Sequence, residues 1–412
     1  FHQARAEDRR NALLDSLKSS GISENYAILQ PYVQLGYPFK KRVISEDYLE
    51  WPQIIELFPE SFPGVKTSRD SMLVDIDRDK LISRIQAYMS PDVSHSEMAT
   101  IDSDVMRTRN RYDAIAIREH IQNRGYSGFI VRYYYRPFDV RWVYWDAETK
   151  LLDEKRPEYF PNIRTNNPFF LTTGRTRRQI IQPPISTSLL SDLNAMDSGL
   201  RAIPLYLFNQ QQDDKPKTKD MFADQENSLD YLINLSSKAQ NYLDSLDVDE
   251  KTLFYHAIAV MHSPNYRTEN AGGMRQEWPR IPLTTSDTVL LRSANLRRNI
   301  AELLDMGLLI DGVISGTIRS DLREVAVIKT QKNITPNFRL TGWCRLTNGA
   351  VYSKQGTIRI DECATQDIYL NSSTYWSNVP QDVWEYTLGG YPVLKKWLSY
   401  RDYDVLGRDL YP

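Results

Sequence analysis

Two cysteines in 412 residues, Cys344 and Cys363, are too few for a thiolate metal site or a disulfide framework, which fits a reducing interior. No apolar run approaches the roughly 18 to 20 residues that a membrane span requires. The opening "FHQARAEDRR" puts charge where a signal peptide needs its apolar stretch, so the expected compartment is the cytoplasm, with no membrane partner. Histidine is scarce too: His2, His95, His120, His256 and His262 show no metal-ligand spacing, and His256 and His262 do not stack on one helix face. They read as ordinary packed or exposed side chains, and no metal site is expected. Excess charge is also absent. Lys plus Arg at 51 against Asp plus Glu at 53 leaves a net charge of -2, so a polyanion would have to be met by a local basic face.

Catalytic motifs are missing as well. No Gly-rich loop ends in Gly-Lys-Ser/Thr, which excludes a P-loop motor, and no Gly-rich cofactor loop follows an apolar strand. Methylation of a flipped adenine needs an Asn/Asp-Pro-Pro-aromatic loop. "NNPFF" (166–170) lacks the second proline, and "QPPIS" (182–186) lacks both the polar residue and the aromatic. No catalytic residue is assigned to this chain.

What is present is a chain 41% hydrophobic and 11% aromatic, long enough for two or three domains with real cores. Residues 5–19 predict a short amphipathic helix, and 36–70 a Pro- and aromatic-rich connector. "VRYYYRPFDVRWVYWD" (131–146) predicts two strands with a bend at Pro137. Helices are expected over "SLDYLINLSSKAQNYLDSL", "EKTLFYHAIAVMH" and "SDTVLLRSANLRRNIAELLDM". The last is capped by Ser286 or Asp287, with Val289, Leu296, Ile300, Leu303 and Leu304 on one apolar face and Arg298 pointing away. Asn348-Gly349 predicts a hairpin. Alternation there sets Phe338, Leu340, Cys344 and Leu346 opposite Arg339, Thr341, Trp343 and Arg345. A last helix is interrupted at Gly389-Gly390. The expected architecture is α+β, a mixed central sheet flanked by helices with a C-terminal β-hairpin. Its expected division is a connector at 1–100, a β-rich part at 101–225, and a helical and hairpin part at 226–412.

Basic patches recur at "FKKR" (39–42), "GRTRR" (174–178), "RSANLRR" (292–298) and the Arg339/Arg345 face. Arginine and lysine in such runs suit phosphate contacts, and a helix or two-stranded ribbon fits the major groove. A competing enzymatic pattern is Asp139 with Glu148-Thr149-Lys150, which imitates the carboxylates and lysine of Mg²⁺-dependent nucleases. The plainer reading, a strand end and a polar turn, is preferred, and a protein-interaction scaffold is the third alternative.

"YYRPFDVRWVYWD" resembles the Tyr-Arg-Pro-Phe-Asp-x-Arg core of the C-terminal specificity region of Type ISP restriction-modification enzymes and related adenine-specific methyltransferases. Three further blocks are similar to that family in the same order: "WPQIIELFPESFPGVKTSRD" (51–70), "FYHAIAVMHSPNYRTENAGGMRQEWPRIPL" (254–283) and "VWEYTLGGYPVLKKWLSYR" (383–401). The resemblance implies a target recognition domain that grips double-stranded DNA and reads a short asymmetric sequence. It also implies a methyltransferase domain of the same full-length chain that uses S-adenosylmethionine, and a role in restriction-modification or phage defence. The start at Phe1 suggests a fragment with catalysis elsewhere. Most rings of 131–146 are expected in the core, with Arg132 or Arg141 reaching outward. The DNA-binding candidates begin with Lys66, Thr67, Ser68 and Arg69, where a turn at Gly64 would bring backbone amides to phosphate. They continue with Arg175, Arg177 and Arg178, with Tyr266, Arg267 and Arg298, and with Arg339, Trp343 and Arg345.

Overall fold

The computed structural model describes residues 33–35, 44–124, 129–174, 181–196, 199–208, 231–306, 308–313, 315–331, 335–343, 353–360 and 362–410, with positions 11 and 15. Apart from positions 11 and 15, which are helical, the predicted helix over 5–19 lies outside the described residues, as do the run at 39–42, Arg175, Arg177 and Arg178, and the hairpin turn with Cys344 and Arg345.

Two short strands, β1 (Phe62–Pro63) and β2 (Val74–Asp75), precede helices α1 (Arg78–Met89), α2 (His95–Ile101) and α3 (Ala114–Arg124). Side chains start the first two helices: Asp77 accepts from the amides of Asp79 and Lys80, and Ser94 with Glu97 closes a capping box. The aromatic stretch then forms β3 (Phe129–Arg136) and β4 (Asp139–Trp145), an antiparallel hairpin turning at Pro137-Phe138 as expected, with Phe138 at φ 56°.

Strands β5 (Phe169–Thr172), β6 (Ile185–Thr187), β7 (Leu190–Ser191), β8 (Arg201–Pro204), β9 (Tyr206–Phe208) and β10 (Tyr231–Ile233) follow. They build two sheets of order β2-β4-β3-β7 and β1-β8-β5-β6, and β9 pairs with β10. The α+β class holds. In place of one central sheet there are several smaller ones, because β5 is buried on both faces. Phe169 and Leu171 enter a first apolar cluster with the β3–β4 hairpin, whereas Phe170, with Ile203 of β8, enters a second. Neighbouring strand residues point to opposite faces, so this sheet is a wall between two cores, and "PFFL" reads as an unbroken apolar run.

The second cluster is closed by α4 (Ser237–Leu246), α5 (Glu250–His262) and α6 (Pro264–Glu269), and α7 (Asp287–Leu304) follows, its Leu304 entering the first cluster. Residues 231–233 pair with β9 instead of extending the predicted helix backward. Ser286 does cap α7, accepting from the Val289 amide. Of the predicted apolar face of α7 only Leu304 is buried, together with Leu290, Ala294, Arg297 and Ala301, while Val289, Leu296, Ile300 and Leu303 face solvent. The helix packs against α5 and β6, and those neighbours decide which of its two apolar stripes is covered.

A third sheet of order β11-β14-β13-β12 is built from β11 (Val327–Thr330), β12 (Ser353–Ile360), β13 (Cys363–Tyr369) and β14 (Thr374–Pro380), and β13 and β14 supply Ile368, Trp376 and Val379 to a third apolar cluster. The interrupted last helix becomes α8 (Gln381–Glu385), a hairpin of β15 (Thr387–Leu388) and β16 (Tyr391–Pro392), and α9 (Val393–Tyr400). Gly389 and Gly390 make that hairpin turn with φ of 60° and 89°.

Candidate nucleic-acid interface

The ring-rich hairpin is framework. Tyr133, Tyr134, Tyr135, Tyr144 and Trp145 are buried, and burial pushes the Tyr133, Tyr134 and Tyr135 phenols well above their usual range. Tyr133 donates to Asp192 at 2.8 Å and Tyr135 to Asp70 at 2.8 Å. Asp192 also pairs with Arg136 at 2.9 Å; burial drives its carboxyl upward against that charge. At the start of β4, Asp139 accepts from Arg141 at 2.7 Å and from Arg401, just past α9, at 2.8 Å. Arg141 is therefore committed inward, with its guanidinium 3.9 Å from the Tyr135 ring, whereas Arg132 is exposed.

The Asp139 geometry removes the metal-nuclease pattern. Its carboxylate is fully enclosed and occupied by two arginines. Glu148 lies past the opposite end of β4, roughly 20 Å away at the rise of an extended strand. One metal ion cannot bridge them.

Arg69 organises three loops into one surface. It is buried, and its Nε and Nη2 donate to the carbonyls of Leu151 at 2.7 Å and Lys150 at 2.8 Å. Its guanidinium lies 3.8 Å from the Tyr112 ring, and burial lowers its pKa. The junction 64–70, the loop 107–113 and the loop 146–156 are thereby fastened together. Between the last two opens a groove of about 680 Å³, lined among others by Arg109, Arg111, Tyr112, His120, Glu148 and Lys150. Asp146 shapes the groove floor by accepting from the amides of Glu148 and Thr149. On the flank, Lys66 pairs with Asp153 at 2.7 Å and Ser68 donates to it at 3.1 Å. The Lys66 hydrogen bond, with help from Ser68, holds the Asp153 carboxyl below the usual carboxylate range.

Several sequence candidates acquire different roles. The amides near Gly64 do not form a phosphate nest: those of Gly64, Val65 and Lys66 donate to the carbonyls of Leu200, Ser191 and Glu154. Glycine stands there because a Cβ would come within 2.5 Å of the Leu193 backbone. Thr67 and Arg69 are buried and bonded inside the protein, so neither can touch a ligand directly. Tyr266 is buried with its hydroxyl on the Arg280 carbonyl, and Arg267 donates to the carbonyls of Met261 and His262. Trp343, expected on the exposed face of a hairpin, fills the third core and donates to the Tyr369 carbonyl.

Lys66, Ser68, Arg298 and Arg339 remain accessible. Arg298 stands in a separate groove of about 440 Å³ with Lys251, Tyr255 and Asn166. Arg339 rests 3.8 Å from the Tyr403 ring. Sequence reasoning missed "RTRNR" (107–111), although Arg107, Arg109 and Arg111 alternate there and are exposed. Arg109 is tied to Asp104, whereas Arg111 has no ion pair among the described residues. The charge density of that run was the available signal.

His256 and His262 are packing residues, bonded to Pro282 and Pro184 carbonyls at 3.0 and 2.6 Å. Among the described residues no group of three His, Cys, Asp or Glu could hold a metal ion, and no helix is long and apolar enough to cross a membrane.

No curated protein matches the chain. Several solved structures share its fold, among them the following three. One is a nuclease-deletion mutant of the Type ISP restriction-modification enzyme LlaGI in complex with a DNA substrate mimic, at 17% identity and TM-score 0.53, covering 88% of this chain and 30% of that one. Another is the ATP-dependent Type ISP restriction-modification enzyme LlaBIII bound to DNA, at 15% identity and TM-score 0.56, with 87% and 22% covered. The third is a DrdV–DNA complex, at 21% identity and TM-score 0.56, with 84% and 31% covered. The chain thus spans less than a third of the length of these relatives. Residues 56–410 match the model of the Type ISP C-terminal specificity domain, and the chain belongs to that family.

Proposed function

We propose that this chain is the sequence-reading domain of a restriction-modification or phage-defence enzyme, and that it recognises duplex DNA for an adenine-N6 methyltransferase domain of the same longer protein. The observation that carries this reading is the specificity-domain match across 56–410. The DNA-bound state of the three similar structures supports it. S-adenosylmethionine would be held by that other domain, since no cofactor loop is found here. The protein would be cytoplasmic.

In this reading the groove rim supplies phosphate contacts. Lys66, Arg111 and Lys150 would neutralise backbone charge, Arg298 and Arg339 would act on other faces, and Arg69 would set the loops without touching DNA. The near-neutral chain makes such local clustering necessary. Phosphate contacts fix register but carry little sequence information, which comes from base-edge groups in a groove.

The test is selection from a random duplex pool on immobilised protein at two salt concentrations, followed by sequencing of the retained DNA. An enriched asymmetric motif is expected. Absence of retention at low salt would overturn the reading in favour of a protein-interaction scaffold.

A further inference from the structure

The loop 107–113 carries a tight turn whose two central residues stand in the order that turn chemistry disfavours. Arg109 and Tyr112 exchange both backbone hydrogen bonds, at 2.9 and 3.0 Å, so Asn110 and Arg111 alone reverse the chain. Of these two only Arg111 has a positive φ, 66°. A turn that is left-handed at its second central residue favours glycine or asparagine there, because a larger side chain crowds the backbone. Exchanging the two residues would suit the backbone better. The turn by itself therefore gives no reason for the order Asn-Arg.

Left-handed residues other than glycine occur in all three loops joined through Arg69: Ser68 at 58°, Arg111 at 66° and Arg156 at 52°. Such strain persists where the surrounding structure holds it, and it gathers at ligand sites. Two of the three have a partner inside the protein: Ser68 donates to Asp153 at 3.1 Å, and Arg156 pairs with Glu154. Asn110 and Arg111 are exposed, and neither side chain has a hydrogen-bond or ion-pair partner among the described residues. Their backbone, by contrast, is firmly held. Tyr112 is buried against the Arg69 guanidinium and donates its hydroxyl to the Val105 carbonyl at 2.7 Å. Thr108 accepts from the Ala114 amide at 3.1 Å, and Arg109 is tied to Asp104. The turn is a rigid mount for two uncommitted side chains on the lining of the 680 Å³ groove.

That lining carries both signs, with Asp113 and Glu148 beside Arg111 and Lys150. Phosphate suits the basic members alone, whereas base edges present donors and acceptors together. An asparagine amide is uncharged and sets a donor beside an acceptor, the pattern that matches N7 and N6 of adenine in the major groove. We propose that, within the duplex-reading function inferred above and resting on it, Asn110 reads an adenine of the target while Arg111 holds the turn against a neighbouring backbone phosphate.

The test is selection from a random duplex pool with the full chain and with its Asn110→Ala variant, followed by competition with duplexes changed at single base pairs. The parent should enrich a motif with an A·T pair that it prefers over the alternatives by about tenfold or more. Asn110→Ala should lose that preference while the rest of the motif survives. Asn110→Gln, which keeps the amide, should retain it in part. Arg111→Gly should weaken retention of all sequences alike and leave Tm equal to or above that of the parent, since glycine relieves the left-handed backbone. A lowered Tm in Arg111→Gly would make that residue structural and overturn its part in the proposal.

An unchanged motif in Asn110→Ala, a lost position other than A·T, or retention by the parent without an enriched motif would overturn the assignment of Asn110 and leave duplex binding standing. A parent that retains no duplex at low salt would overturn the DNA-reading function itself, and this assignment with it.

Discussion

Replacing Asp139 with Asn keeps the shape of the side chain and removes only its charge. Asp139 is 1% exposed and receives Arg141 Nε at 3.1 Å, Arg141 Nη2 at 2.7 Å and Arg401 Nη2 at 2.8 Å. The substitution leaves two largely buried guanidiniums facing each other without a counter-charge. Breaking a buried pair in this way costs about 3 to 5 kcal/mol, more than the pair contributed in net terms, because the uncompensated charge stays in place. Part of that cost is offset. Arg141 remains 3.9 Å from the Tyr135 ring and Arg401 3.9 Å from the Trp397 ring, and each such contact is worth about 0.5 to 2 kcal/mol. The expected loss is therefore about 3 kcal/mol at neutral pH. Urea unfolding followed by tryptophan fluorescence and circular dichroism would read it as a lowered midpoint with an unchanged slope. A double-mutant cycle with Arg401→Met should show non-additivity of about 1.5 kcal/mol or more, since the double variant lacks one of the stranded charges. A loss below about 0.5 kcal/mol with an additive cycle would refute the account of Asp139 as the fastener between the hairpin and the chain end.

The inverted face of α7 is checked by pairing Leu290→Ala, expected to cost about 2 to 5 kcal/mol, with Leu296→Glu, expected to stay within about 0.5 kcal/mol; a reversed order would restore the face that periodicity suggested. Arg111→Ala and Lys150→Ala should each lower the salt dependence of duplex binding by about 0.9 in the log–log slope, and a parental slope would remove the residue from the phosphate contacts. His262 is held near pKa 3 in the folded protein, by burial first and by the Arg297 charge second. The unfolded chain, with a histidine pKa of about 6.5, binds one more proton between those values. Stability is thus fully present above about pH 6.5 and falls by about 1.4 kcal/mol per unit on further acidification. His262→Gln, which keeps a donor for the Pro184 carbonyl without titrating, should flatten that slope in urea titrations from pH 7 to 5. The same slope in parent and variant would assign the acid lability elsewhere.

Much of the fold was legible because its signals are local. The hairpin at Pro137, the start of α7 at Ser286 and the helix over 250–262 depend on turn geometry, capping and short apolar repeats, which act within a few residues. The framework role of the ring-rich stretch was legible too, since duplex readers seldom stack bases on rings. The candidate site was legible only in part. Lys66 and Ser68 are accessible, but Thr67, Arg69, Tyr266 and Trp343 are buried in roles that no composition rule distinguishes from a surface role.

The sequence by itself determined the class of elements, the family-specific blocks and the need for a local basic face in a chain of net charge -2. Tertiary structure alone decided which side of each element is covered. Helix α7 carries two apolar stripes, and only contact with α5 and β6 selects the one with Leu290 and Leu304, leaving Leu296 in solvent and burying Arg297. Arg111 and Lys150 lie far apart in the chain and line one groove only because Arg69 bonds one loop and stacks on the ring of the other. Helical or strand period is written in a few neighbouring residues, whereas burial is a property of what arrives from elsewhere in the chain.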